Sequence, residues 1–124
     1  MSCFGIRGAV DVPHNRAEEI LGATRDLLER IVIENALRVE DIVSVVFSVT
    51  ADLDAVAPAR AARDLGWTNT PLFCVQEMNV SGGMARCIRV LMHVNGHRSA
   101  EEIQHVYLGE ARSLRPDWAK GAGT

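Results

Sequence analysis

The chain has 124 residues, 48% hydrophobic and 23% charged, with a formal net charge of -3 and a pI of about 5.8. Its length suits one domain and its composition supports a packed core rather than disorder. The mild acidity argues against a bulk nucleic-acid footprint, and no apolar run approaches the roughly 20 residues of a membrane helix. The cysteines, Cys3, Cys74 and Cys87, are odd in number and lack a Cys-x-x-Cys spacing. That argues against a disulfide framework or a zinc site. Without a leader-like start, the expected compartment is the cytoplasm.

In chain order, residues 4–10 read as a short buried strand broken by Asp11-Val12-Pro13. Asn15, with Glu18 three residues on, reads as the capping box of a long helix. Ile20, Leu21, Thr24, Leu27, Leu28, Ile31 and Val32 form its apolar face, ending near Asn35. Residues 42–49 are apolar and β-branched, interrupted only by serines, and read as a central strand buried on both faces. Pro58 suits the first turn of a second helix, which Gly66 stops.

Residues 71–75 read as the next strand, and Ser81-Gly82-Gly83 as a turn. Residues 85–94 form another strand, with Cys87, Arg89, Leu91 and His93 on one face and Ile88, Val90, Met92 and Val94 on the other. Ser99 and Glu102 form a capping box for a helical turn, and residues 105–108 a last strand. The expected class is α+β, with a mixed sheet of about five strands and two main helices. Domain 1–117 is followed by an expected mobile tail, 118–124. Two helices can cover one face of such a sheet. The apolar second face should therefore meet another subunit.

The chemistry lies in charges set among apolar strand residues. Arg7 lies between Ile6 and Gly8, and Arg89 between Ile88 and Val90. Arg is rarely buried unless paired, so each could be a strand-edge side chain reaching water or Glu77. Two of them beside Glu77 point to a pocket, because guanidinium grips carboxylates bidentately. Small residues around Arg7 would let a ligand approach the backbone. Neither Gly-x-Ser-x-Gly nor a Walker loop is present, and His14, His93, His97 and His105 lack a metal-ligand spacing. Cys74 has no evident His partner and reads as a buried thiol.

Several segments together resemble the AroH-type chorismate mutases. They are Gly5-Ile6-Arg7-Gly8-Ala9, Pro58-Ala59-Arg60-Ala61-Ala62-Arg63, Cys74-Val75-Gln76-Glu77-Met78, Gly82-Gly83, Cys87-Ile88-Arg89-Val90, His105-Val106-Tyr107-Leu108 and Leu114-Arg115-Pro116-Asp117. They run in the family's order at nearly its spacing. The resemblance implies a Bacillus chorismate mutase-like fold and a homotrimer forming a pseudo α/β barrel, with active sites between subunits. It implies a cofactor-free, metal-free isomerase that rearranges chorismate to prephenate in phenylalanine and tyrosine biosynthesis.

Carried over by position, Arg7 and Tyr107 would bind the side-chain carboxylate, and Arg89 would face the ether oxygen. Glu77 and the Cys74 thiol would meet the ring hydroxyl, with Phe73 contributing backbone. Leu114 would wall the pocket and Arg115 would lie in the segment closing over it. Ala59, Arg60 and Arg63 would come from the adjacent subunit. Ala57 departs from the family, standing where an aromatic wall is common, and Arg60 replaces a common Lys. Two other functions fit the same pocket: a non-catalytic trimeric binding module for a small carboxylate, and an enzyme acting on enamines or imines through Glu77.

Overall fold

The computed structural model describes residues 2–118. Five strands form one mixed sheet: β1 (Cys3–Asp11), β2 (Ile42–Val49), β3 (Leu72–Gln76), β4 (Cys87–Asn95) and β5 (Val106–Tyr107), in the order β3-β2-β4-β1-β5. β4 runs antiparallel to both β1 and β2, while β3 pairs parallel with β2 and β5 parallel with β1. The segment 42–49 is an interior strand, flanked by β3 and β4, as the sequence reading expected and with the same bounds.

Two α-helices pack on one face: α1 (Ala17–Glu34) and α2 (Ala59–Asp64). From α1, Ile20, Leu27, Leu28 and Ile31 are fully buried against Ile6, Val45, Phe47, Val90 and Met92 of the sheet. Gly8 permits this approach. A Cβ there would stand 3.0 Å from both Ile31 Cδ1 and the Val106 carbonyl oxygen. Pro58 opens α2 as its N-cap, and Gly66, at φ 92°, follows its end.

The capping box read at Asn15 does not form. Arg16 is the N-cap, without a side-chain cap bond. The Asn15 side chain is taken by a tertiary partner instead. Its Oδ1 accepts the backbone N–H groups of Asp54 (3.1 Å) and Ala55 (3.0 Å), and its Nδ2 donates to Asp54 Oδ1 at 2.7 Å. The Ser99–Glu102 capping box is present, opening a 3-10 turn at Ala100–Glu102.

Among the described residues the opposite face of the sheet carries no α-helix, and only a C-terminal 3-10 segment packs there, over Ala9, Cys87 and Tyr107. Alternation sends Gly5, Arg7 and Ala9 of β1, Ser44, Val46 and Ser48 of β2, and Arg89, Leu91 and His93 of β4 to that side. Val46 and Leu91 are half-buried there, and Phe73 is 64% exposed. The sequence reading expects β2 to be buried on both faces; among the described residues only one of its faces is covered. Of the expected tail, Trp118 is described and packed, and 119–124 lie outside the described residues.

Candidate active site

Sheet register builds the site on the open face. One rung crosses all five strands as Val75, Ser48, Arg89, Ala9 and Tyr107. The next rung reads Phe73, Val46, Leu91 and Arg7. Arg7 and Arg89 are therefore diagonal neighbours on paired strands, about 7–8 Å apart at the backbone, so their side chains share one face and one neighbourhood.

Glu77 follows β3 directly, and its backbone N–H donates to the Val49 carbonyl at 2.7 Å. Its Oε1 accepts the Ser48 hydroxyl at 2.6 Å and lies 3.4 Å from Arg89 Nε. The Arg89 Nε–H is buried and is not aligned on that oxygen. It has no hydrogen-bond partner among the described residues. The Tyr107 hydroxyl is likewise buried and without a partner among them. Burial raises the Tyr107 pKa although the Arg7, Arg115 and Arg89 charges pull it down, so the phenol stays a neutral donor. Ala9 stands between these two donors on the rung and offers only a methyl group. Buried donors without acceptors are costly, and a ligand oxygen between them would relieve that cost.

A C-terminal 3-10 segment, Gly109–Leu114, flanks the rung. Leu114 and Trp118 pack on the cluster of Ala9, Cys87, Tyr107 and Ala111. Trp118 stacks on His105 at 3.9 Å, and the Arg115 guanidinium sits 3.5 Å from the Trp118 ring centroid. Arg115 also grips Asp117 with two bonds, at 3.1 and 2.9 Å. His105 Nδ1 accepts the Arg7 backbone N–H at 3.0 Å, which extends the β1–β5 ladder by a side chain. Burial, then the Arg115 and Arg7 charges, lowers the His105 pKa and favours the neutral ring this bond needs. Burial pushes the Cys87 thiol up to about 11, so it is an inert wall rather than a nucleophile.

Glu77 and Arg89 also line a cleft of about 280 Å³ with Thr50, Asp52, Met78 and Met84. Arg7 and Tyr107 do not line it and lie beyond Arg89 across the sheet. The Asp52 carboxylate anchors the entry of β4, accepting the Arg86 backbone N–H on both oxygens at 3.1 and 3.0 Å. The Thr50 hydroxyl bond is the main cause of its lowered pKa.

The other residues read from the sequence are not brought to this point within one chain. Cys74 pairs with Phe47 on the helix side of the sheet and lines a second cleft, of about 300 Å³, with Val56, Ala57, Pro58 and Gln76. Ala59 is 5% exposed within the core, while Arg60 and Arg63 are exposed on α2. Arg60 lies 3.9 Å from Asp64. Phe73 does face the Arg7 rung. Ser48 and Trp118 are not singled out by the sequence, which marks His105 only as a strand residue. The only signal for Ser48 was a hydroxyl interrupting an apolar strand.

Comparison with known proteins identifies the family. The sequence profile of the family described as chorismate mutase type I matches residues 3–118. The chain is 49% identical over 118 residues to chorismate mutase AroH of Bacillus subtilis, covering 94% of this chain and 93% of that protein. It is 42% identical over 114 residues to chorismate mutase AroH of Thermus thermophilus, covering 91% and 93%. The solved structure of a chorismate mutase from Clostridium thermocellum superimposes with a TM-score of 0.88 at 48% identity, covering 90% of this chain and 99% of that one. With its five-stranded mixed sheet and its arginine-bearing open face, the chain belongs to the type I chorismate mutase family.

Proposed function

We propose that the chain catalyses the rearrangement of chorismate to prephenate by holding the substrate in its compact conformer and stabilising charge on the breaking ether bond. The rearrangement is unimolecular: one carbon–oxygen bond breaks as one carbon–carbon bond forms, and no proton needs to move. Two physical contributions then remain. Arg7 and Tyr107 bind the side-chain carboxylate and fix a flexible dianion in a reactive shape, which can be worth several kcal/mol. Arg89 directs a donor at the ether oxygen, where negative charge develops in the transition state. Glu77 keeps one oxygen for the ring hydroxyl, and Leu114 and Arg115 border the carboxylate end.

The observation that carries this reading is the pair of buried, unpartnered donors, Arg89 Nε–H and Tyr107 O–H, on one rung. The open apolar face, with Val46, Leu91 and exposed Phe73, supports assembly with further copies, and we read the assembly as a homotrimer. In it, Ala59, Arg60 and Arg63 would complete the site from the neighbouring subunit. No cofactor or metal enters the scheme. No described helix is long and apolar enough to cross a membrane, and we place the enzyme in the cytoplasm.

Chorismate consumption, followed with sizing of the native protein, tests the reading. Turnover by a trimer is the expected result. Binding without turnover would replace the enzyme with a carboxylate-binding module. Activity that collapses as a carboxylate protonates would favour imine or enamine chemistry at Glu77.

A further inference from the structure

Ser48 touches none of the substrate groups assigned above, yet it occupies the position that governs Glu77 and Arg89. It is the β2 partner of Arg89 in the rung. Its hydroxyl has a single proton, and that proton goes to Glu77 Oε1 at 2.6 Å. The same oxygen is the one 3.4 Å from Arg89 Nε, and the Arg89 Nε–H is not aligned on it. The other side chains flanking this arrangement on the rung, Val75 and Ala9, cannot hydrogen-bond a carboxylate.

Guanidinium and carboxylate left to themselves close into straight, paired hydrogen bonds. Such closure would give the Arg89 Nε–H a protein acceptor and turn the fork away from a ligand. We propose that Ser48 is a positioning residue: its hydroxyl holds Glu77 short of full pairing with Arg89, so that Arg89 keeps a donor for the substrate's ether oxygen. The proposal rests on the role given to Arg89 above.

Steady-state kinetics with chorismate on Ser48→Ala, Ser48→Thr, Glu77→Gln and the Ser48→Ala/Glu77→Gln double variant test it, with a thermal melt of each. Ser48→Ala should lower kcat about tenfold and change KM less than about threefold, a loss typical of a misplaced catalytic group. Ser48→Thr keeps the hydroxyl and should recover kcat to within about threefold of the wild type. In the Glu77→Gln background the neutral amide cannot close on Arg89 as an ion pair, so Ser48→Ala should cost less than about twofold. An equal loss in both backgrounds would mark Ser48 as merely structural and overturn the proposal, as would full kcat in Ser48→Ala. A wild-type protein that does not turn chorismate over would overturn the reading of the site itself.

Discussion

Replacing Arg89 with Lys keeps the charge and changes one atom that matters. Along the side chain, lysine Cε falls where arginine has Nε. A methylene then occupies the position of the buried, unpartnered N–H, and the ammonium lies one bond further out. The ion pair with Glu77 is 3.4 Å long and its Nε–H is not aligned on the carboxylate, so its worth to stability is on the order of 1 kcal/mol, and a lysine can re-form part of it. Folding should therefore survive. Catalysis should not, because a donor aimed at developing charge contributes roughly 3–4 kcal/mol, or about 10²–10³ in kcat. Arg89→Lys should show that loss in kcat with a modest change in KM, measured by chorismate consumption under saturating substrate. The thermal midpoint should remain within a few degrees of the wild type. A folded Lys variant within tenfold of wild-type kcat would refute the assignment of the ether-oxygen contact to this side chain.

Other consequences can be checked separately. Gly8→Ala should destabilise the fold by about 1–3 kcal/mol in denaturant titration, because its Cβ meets Ile31 and a backbone oxygen at 3.0 Å; equal stability would mean that α1 can retreat at no cost. His105 has a folded pKa below its ordinary value of 6.5, so its contribution to stability is full above about pH 6.5 and is lost as pH falls through the folded pKa. Melts between pH 7.5 and 5 should show a fall in midpoint that is shallower in His105→Gln, and parallel curves would contradict this. Cys87, with its thiol pushed up to about 11, should resist alkylation at pH 8 in the native protein, while exposed Cys3 reacts. Mass spectrometry of labelled peptides reads this directly, and native labelling at Cys87 would disprove its burial.

Much of the scaffold was legible because period-two and period-four patterns depend on local chemistry. The division of β4 into Arg89 and Cys87 on one side and Val90 and Met92 on the other follows from strand alternation alone. What escaped depends on register and on tertiary competition. Asn15 has the composition of a cap, but three hydrogen bonds to the 54–55 loop outcompete capping. Alternation along β3 puts Cys74 on the helix side of the sheet, a placement that depends on strand register and that the family resemblance does not give. Ser48 could not be linked to Glu77 in advance, since nothing local tells which residue of β2 stands opposite Arg89. His105 was read as an ordinary strand residue, and its imidazole instead continues the backbone ladder of β1.

The nine-residue register between β1 and β4 has a wider consequence. The separation of the two cations is fixed by main-chain geometry, not by which apolar side chains fill the interior beneath. Descendants of this protein can exchange Leu, Ile and Met on the hidden side over long evolutionary times while the spacing of the charges stays constant. The constraint falls instead on insertions and deletions: a one-residue slip in the pairing of these strands would turn an arginine to the helix side and, on the proposed reading, remove it from the site.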